Sequence, residues 1–347
     1  MSNWQLVKLG HVVKLNYGKA LKTENRVDGD IPVYSSAGLT GYHDMPLVNS
    51  KGLIVGRKGT VGKVYYSRVP FFCIDTAYYI LPDEDNYNLD YFYYLLQTLG
   101  LQELNEDSAV PGLNRETACN QEFYLPEISE QKAIANVLSS LDDKIDLLHR
   151  QNKTLEAMAE TLFRQWCIEE AQDDWEEGRL GDLFEISSGK GLKKDRSDEM
   201  GIYPVFGANG EIGRTNDFLF EEKLIFTGRV GTLGNVFIVN NEKVWLSDNT
   251  LVFRKIKHFY LVYFILKTAR LSDYNAGSTQ PLIRQSDINE IPIFLPSLDV
   301  INFFETQAKD YFKKIGFNKK QLIVLEKLRD TLLPNLMSGE VRVKAAN

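Results

Sequence analysis

The sequence is poor in residues that bind metals or form disulfide bonds. Its three cysteines lie far apart, at Cys73, Cys119 and Cys167, and it has only four histidines. No CxxC pair occurs, so the soft ligands of a structural zinc site are missing. We therefore expect no metal site and thiols that stay reduced.

Long apolar runs are also absent. A stretch such as 71–81 is interrupted by Asp75, well short of the roughly 18 uncharged residues of a membrane helix. The N-terminal residues 1–5 lack the basic start and apolar run of a signal peptide. Hydrophobic residues make up 44% and charged residues 25% of the 347 positions, which is typical of a globular protein. We predict a cytoplasmic protein of two or three domains with no membrane contact.

Motifs of nucleotide binding and catalysis are missing as well. Segment 56–63 resembles a phosphate-binding loop, but its spacing is one residue too long and Val64 stands where the magnesium-binding Ser or Thr belongs. The sequence has no strand-linked GxGxxG, no HExxH and no GxSxG. No carboxylate spacing singles out an acid–base pair. We predict a non-catalytic chain that binds no cofactor of its own.

What the sequence does contain is an internal repeat. At an offset of 171, seven of the 19 residues from Trp4 to Lys22 are identical to their counterparts, where chance gives about one. At an offset of 172, GRKGTVG at 56–62 matches GRVGTLG at 228–234 in five of seven positions. Further along, an offset of 170 aligns Pro111 with Pro281. The two halves are predicted to share one fold.

Each half begins with about 125 residues rich in glycine, β-branched and aromatic residues, a composition typical of mixed α/β structure. In the first half, predicted strands at 53–55 and 61–66 flank a glycine-rich turn, and a helix is predicted at 89–99. The corresponding segments of the second half are 224–226, 233–239 and 259–267.

Each half ends in a segment with helical periodicity. Apolar positions from 134 to 166 alternate steps of four and three, the heptad pattern of a coiled coil, and a similar seam runs from 315 to 336. An ordinary bundle of core helices is the alternative, but no other long amphipathic helices are available to complete one. Net charges of −4 over 129–173 and +3 over 297–347 favour pairing of the two segments in an intramolecular antiparallel coiled coil.

One asparagine in each seam, Asn152 and Asn318, predicts the register. A buried polar side chain needs a hydrogen-bonding partner, so the two asparagines are expected to face each other across an internal pseudo-twofold axis. The predicted layers include Ile145–Leu325, Leu141–Arg329 and Trp166–Phe304. At Arg329 the aliphatic stem is expected to lie in the seam while the guanidinium reaches outward.

Basic residues beside glycines recur in both halves and are the candidate binding residues. They are Lys19, Lys22, Arg57, Lys58 and Lys63 in the first half and Lys190, Lys193, Lys194 and Arg229 in the second. Turn glycines let the backbone approach a surface closely, while the cations and the turn residues Thr60 and Thr232 can hold phosphate oxygens. The alternative is that the glycines only form tight hairpins and the cations are solvated.

A third repeated element adds further candidates. SAVP at 108–111 corresponds to STQP at 278–281, which includes Gln280, and each is followed by an arginine, Arg115 or Arg284. A net charge of −7 argues against nonspecific coating of nucleic acid but permits local basic patches, helped by a partner that contributes positive charge.

The order of these parts resembles the specificity (S) subunits of type I restriction–modification enzymes over essentially the whole chain. The motifs that carry the resemblance are the W-x4-L-G openings at Trp4 and Trp175, the turns GRKGTVGKV and GRVGTLGNV, the Pro111 and Pro281 segments, the helix opening LPEISEQKAIANVLSSLDDKI and the closing LRDTLLPNLMSGEVRV.

The resemblance implies an α+β chain in which two similar mixed α/β target recognition domains are joined by two long helices. The boundaries are 1–128 and 173–296 for the recognition domains and 129–172 and 297–347 for the helical segments. Each recognition domain would contact one half of a split site on double-stranded DNA, and the coiled coil would set the spacer between the halves. Because the two halves of the sequence diverge, for example at 42–52 against 214–223, we predict that this bipartite site is asymmetric.

The same resemblance implies the partners. Two methyltransferase (M) subunits would dock on the coiled coil, restriction (R) subunits would join the full complex, and S-adenosylmethionine would bind the methyltransferase. The sequence SEQ at 129–131 has no counterpart near 297–299, so the two docking surfaces are not expected to be equivalent.

Two other functions fit the repeat: an interaction scaffold that binds proteins or sugars, and a standalone DNA-binding repressor. Salt-dependent binding to a split DNA site separates the first from a DNA-binding subunit, because a sugar binder has no counterion term. Loss of sequence-specific binding without a methyltransferase partner would argue against the second.

Overall fold

The structure is a computed structural model that describes residues 4–104, 112–170, 175–277 and 281–343. The chain folds as two compact units: unit 1 comprises Met1–His149 with Lys319–Asn347, and unit 2 comprises Arg150–Asn318. The helices are α1 (Leu9–Val12), α2 (Leu89–Thr98), α3 (Arg115–Cys119), α4 (Ile128–Arg164), α5 (Phe259–Thr268), α6 (Gln285–Asn289) and α7 (Leu298–Met337). The two long helices, α4 and α7, each contribute one part to each unit.

Unit 1 is built on three small sheets. Its strands are β1 (Gln5–Lys8), β2 (Asn16–Tyr17), β3 (Ile31–Ser35), β4 (Gly38–His43), β5 (Gly52–Gly56), β6 (Val64–Ser67), β7 (Phe72–Cys73), β8 (Ala77–Ile80) and β9 (Glu122–Leu125). The four-stranded antiparallel sheet has the order β2-β8-β5-β6. In the second sheet β3 pairs with β4 antiparallel and with β7 parallel, and β1 pairs with β9 antiparallel.

Unit 2 repeats this topology. Its strands are β10 (Glu176–Arg179), β11 (Glu185–Ser188), β12 (Tyr203–Gly207), β13 (Gly210–Thr215), β14 (Lys223–Gly228), β15 (Val236–Asn240), β16 (Trp245–Leu246), β17 (Thr250–Arg254) and β18 (Pro292–Leu295). The sheet orders are β11-β17-β14-β15, β13-β12-β16 and β10-β18. Subtracting nine from each strand number gives the sheet orders of unit 1, so β10 corresponds to β1 and β18 to β9. The predicted α+β fold with two similar mixed α/β domains is confirmed.

Local sequence explains where the strands lie and where the prediction was too long. The predicted strands at 53–55 and 224–226 lie in β5 and β14, whose apolar residues are buried on both faces. The strand predicted from Val61 begins only at Val64. Gly62 lies between them with a φ of 70°, a left-handed conformation that belongs to a turn rather than a strand.

The two long helices complete the core of each unit. In unit 1, Leu336 and Met337 at the end of α7 pack into the cluster that contains Leu53 and Phe92. In unit 2, Phe163 of α4 packs with Phe264 and Phe304, with ring centroids 5.5 and 6.0 Å away. Because apolar burial is the main driving force of folding, neither unit has a complete core without both helices.

Within each unit α4 and α7 run antiparallel. In unit 1, Ile145 and Leu148 form a buried cluster with Leu322 and Leu325. The guanidinium of Arg329, at the predicted Leu141 layer, pairs with Asp142 at 3.1 Å and Asp330 at 2.8 Å. Arginine is therefore accommodated at the seam by carboxylates beside it.

In unit 2 the amide groups of Asn152 and Asn318 are 2.9 Å apart, with Asn318 donating. The predicted pairing differs at the end of α4, where Trp166 packs on Phe303 with ring centroids 4.8 Å apart and Phe163 takes the place beside Phe304. The α-helix ends at Arg164 and a π-helical turn covers Gln165–Glu169. Trp166 lies in this turn, where the 3.6-residue periodicity behind the heptad pattern no longer applies.

Two further observations concern the parts of the chain that the structure describes. No helix there has both the length and the apolar character needed to cross a membrane. No three His, Cys, Asp or Glu side chains there gather as they would around a metal ion.

Candidate nucleic-acid interface

The first glycine-rich turn (residues 57–63) joins β5 to β6 and is held by backbone hydrogen bonds. The N–H groups of Arg57 and Lys58 both donate to the carbonyl of Thr76, at 2.9 and 3.0 Å. Gly59 has a φ of 80°, and a Cβ at this position would meet nothing closer than the Ser36 hydroxyl at 3.7 Å. The turn therefore presents open backbone that another molecule can approach closely.

Two arginines of unit 1 share one tyrosine ring. The guanidinium carbon of Arg57 lies 5.1 Å from the centroid of the Tyr17 ring, and that of Arg115 also lies 5.1 Å from it. Nη1 of Arg57 donates to the carbonyl of Asp75 at 2.9 Å. Among the described residues neither arginine forms an ion pair with a carboxylate. The aromatic ring orders both cations without neutralising them.

These side chains border a cavity of about 240 Å³, whose lining includes Lys58, Tyr78 and segment 112–115. The Tyr78 hydroxyl donates to the carbonyl of Leu113 at 3.0 Å, and burial and the neighbouring Tyr17 raise the pKa of Tyr78 to about 12. Tyr78 therefore stays a neutral donor. The N–H of Leu113 donates to the carbonyl of Arg57 at 2.8 Å, which ties segment 112–115 to the first glycine-rich turn.

The second glycine-rich turn (residues 229–235) repeats this arrangement in unit 2. The N–H of Arg229 donates to the carbonyl of Asn249 at 2.7 Å, and the N–H of Ile283 donates to the carbonyl of Arg229 at 2.9 Å. Gly231 has a φ of 85°, and a Cβ there would meet nothing within 4 Å. The backbone arrangement of the first turn is therefore repeated in the second, including the open space beside the glycine at its tip.

The side chains around the two turns differ. By strand pairing, Ser188 takes the place of Tyr17 and Leu251 the place of Tyr78. The amide of Gln285, the first residue of α6, donates to the Ser188 hydroxyl at 3.2 Å. The side-chain Nε of Arg229 is buried and has no hydrogen-bond partner. The two sites thus share their backbone arrangement but carry different hydrogen-bonding side chains.

Of the other predicted binding residues, Lys58, Thr60, Lys63 and Thr232 lie within the two turns and the rest lie elsewhere in the two units. All of them are exposed: Lys19, Lys22, Lys58, Thr60, Lys63, Lys190, Lys193, Lys194, Thr232 and Arg284. Lys22 is 3.5 Å from Glu24, and Nζ of Lys63 is 5.6 Å from the centroid of the Tyr65 ring. Gln280 lies outside the described residues.

Sequence reasoning missed Tyr17, Ser188 and Gln285. It compared Arg115 with Arg284, whereas the counterpart of Arg115 as first residue of the short helix is Gln285. The signal was available, because the offset of 170 that aligns Pro111 with Pro281 also aligns 115 with 285.

Comparisons with known proteins agree with this architecture. Residues 1–157 and 172–327 match the model of a family described as the type I restriction modification DNA specificity domain. The type I restriction enzyme MjaIX specificity subunit of Methanocaldococcus jannaschii is 26% identical, over 99% of this chain and 94% of that protein. The MjaVIII specificity subunit of the same organism is 22% identical, over 99% and 94%.

A solved structure shows the same fold. The crystal structure of a type I restriction–modification system S subunit from M. genitalium superposes on this chain with a TM-score of 0.70. The sequences are 21% identical, and the match covers 96% of both chains.

Proposed function

Since the chain belongs to the type I restriction modification DNA specificity family and carries the family's domain twice, we propose that it is the DNA sequence-specificity subunit of a type I restriction–modification complex. Each recognition domain contacts one half of an asymmetric bipartite site. The observation that carries this proposal is the duplicated glycine-rich turn, with Arg57 or Arg229 at its start and an open glycine at its tip.

The charges around the turns support DNA as the ligand. Arg57 and Arg115 form no ion pair among the described residues, and Lys58 and Lys63 of the first glycine-rich turn are exposed. Phosphate contacts from such side chains supply most of the nonspecific affinity for DNA. Because the chain as a whole carries a charge of −7, this attraction is confined to the two faces, and partner subunits add to it.

We assign DNA recognition and partner docking to different segments of each half. Residues 1–128 and 173–296 form the recognition domains, and 129–172 and 297–347 form the helical segments on which two methyltransferase subunits dock. Exposed apolar side chains on α7 suit such docking: Phe303, Phe317, Ile323, Val324 and Leu328 are 44–66% exposed. Restriction subunits join this core. The methylating chemistry and S-adenosylmethionine belong to the methyltransferase, and the complex acts on DNA in the cytoplasm.

Co-expression with methyltransferase subunits, followed by sequencing of methylated positions, tests the proposal. The expected product is one bipartite motif with a nonspecific spacer, absent when this chain is omitted. DNA methylation that does not depend on this chain, or no methylation with any cognate methyltransferase, would contradict the proposed function.

The methylated motif should be asymmetric. The scaffold residues are shared between the halves, but Tyr17 is replaced by Ser188 and Arg115 by Gln285 at corresponding places. Different side chains at the DNA face select different bases. The same sequencing experiment checks this, and a palindromic motif would show that the two units have equal specificity.

Replacement of Arg57 by Ala should weaken DNA binding by the assembled complex without changing the motif. The loss of one phosphate contact is expected to reduce the slope of log K against log salt by about 1. Arg229→Ala should act in the same way in the other half-site. Titrations of one cognate duplex at several salt concentrations measure both quantities.

Arg179→Ala is the matched control, because this exposed arginine is not a candidate binding residue and is paired with Glu290 at 2.7 Å, so it contributes little free charge. An Arg57→Ala complex with unchanged affinity and salt slope would assign Arg57 a purely structural part in the turn.

A further inference from the structure

Arg115 and Gln285 occupy equivalent backbone positions in the two units. Each is the first residue of a short helix, α3 or α6. Each follows, by two positions, a buried residue whose N–H donates to the arginine carbonyl of the glycine-rich turn, Leu113 in unit 1 and Ile283 in unit 2. The two side chains therefore leave equivalent positions beside equivalent turns.

Each side chain also rests on the residue at the end of the neighbouring strand. The guanidinium of Arg115 lies over Tyr17 at 5.1 Å, and the amide of Gln285 donates to the Ser188 hydroxyl at 3.2 Å. Arg115 is exposed and borders the cavity of about 240 Å³. The two contacting pairs therefore differ together between the units. In unit 1 the aromatic ring of Tyr17 suits the guanidinium of Arg115, and in unit 2 the hydroxyl of Ser188 suits the amide of Gln285.

The identity of these two side chains is informative. Arginine binds the O6 and N7 of guanine through two hydrogen bonds, and glutamine binds the N6 and N7 of adenine in the same manner. Arg57 and Arg229 are identical in the two units, so they cannot account for a difference between the half-sites. Arg115 and Gln285 differ between the units and can therefore account for such a difference.

We propose that Arg115 and Gln285 are specificity-determining residues that contact one base each, Arg115 a guanine in the half-site of unit 1 and Gln285 an adenine in the half-site of unit 2. This rests on the proposed function and adds to it the class of base that each position selects. Guanine and adenine present different hydrogen-bonding edges in the major groove, so we expect both contacts there.

Exchange of the two residues tests the assignment. Arg115→Gln and Gln285→Arg are made separately and co-expressed with the methyltransferase subunits, together with a plasmid library in which the half-sites are randomised. Arg115→Gln should convert one guanine preference to adenine in its half-site, and Gln285→Arg should do the reverse in the other. The ratio of methylation at the two bases should shift by about 5- to 150-fold.

The unaltered half-site serves as an internal control for folding in each variant. Arg179→Gln is the matched surface control, because this exposed arginine pairs with Glu290 at 2.7 Å, is not a candidate binding residue and should leave the motif unchanged. If Arg115→Gln gives no methylation, Tyr17→Ser combined with Arg115→Gln recreates the pair found in unit 2 and decides the question.

Three outcomes overturn the assignment. They are an unchanged motif at normal activity, a uniform loss of methylation over all sequences that the added Tyr17→Ser does not restore, which marks a phosphate contact, and a motif change in the wrong half-site. Failure of the proposed function gives a different result, because the unsubstituted chain would then direct no bipartite methylation.

Discussion

Insertion of one heptad into each long helix should lengthen the nonspecific spacer of the methylated motif by about three base pairs. Both α4 and α7 continue from one unit into the other, so seven more residues in each add about 10 Å of helix. One base pair of B-DNA rises about 3.4 Å. Insertion near Arg150 and Lys320 keeps the heptad seam intact, and the two half-site sequences should stay the same.

Sequencing of the sites methylated by the lengthened complex measures the spacer. The added helical twist makes the expected change uncertain by about one base pair. A heptad inserted into α4 alone is the control, since it offsets one seam against the other and should abolish methylation. An active double insertion with the original spacer would mean that the helices serve only for docking.

Removal of the asparagine pair should have opposite effects in single and double variants. Nδ2 of Asn318 donates to Asn152 at 2.9 Å and to Gln151 at 3.4 Å, while its Oδ1 is buried without a partner. Asn152→Leu leaves a fully buried amide poorly paired and should lower the free energy of unfolding by about 1–3 kcal/mol. Asn152→Leu with Asn318→Leu removes the buried polar groups together and should be more stable than the original protein.

Thermal unfolding of the single and double variants measures the difference, and about 1 kcal/mol should move the midpoint by roughly 2–4 °C for units of this size. The double variant should also lose register specificity, because leucine layers match in several alignments. A broader range of spacers in its methylated motif would show this. A double variant less stable than the single one would contradict the argument.

The fold was predictable to the extent that the sequence repeats itself. The identities between residues 4–22 and 175–193 and between the GRKGTVG and GRVGTLG segments predicted one topology used twice, and the strand orders agree. Strand ends were less predictable. Val61 is apolar and β-branched, yet the left-handed Gly62 keeps it in the turn. The strand propensity of Val61 does not show that the next glycine adopts this conformation.

The candidate site was only partly predictable because its geometry comes from long-range pairing. The sequence singled out Arg57 and Arg229 through their glycines. It gave no reason to place Tyr17 beside Arg115, since these residues are separated by nearly one hundred positions and meet only because β2 pairs with β8. The contact between Tyr17 and Arg115 is therefore a property of the tertiary fold and cannot be seen in the local sequence.

The division of the chain into units also fixes an order of events during synthesis. Unit 2 is one uninterrupted stretch, whereas unit 1 needs Lys319 and the residues after it, and Leu336 and Met337 are 1% and 6% exposed in its core. At about 5–20 residues per second, a ribosome that has made residue 149 needs roughly 10–40 s more to reach Met337. During that interval the apolar surface prepared for α7 stays open to water and to chaperones. The half of the molecule that is synthesised first is completed second.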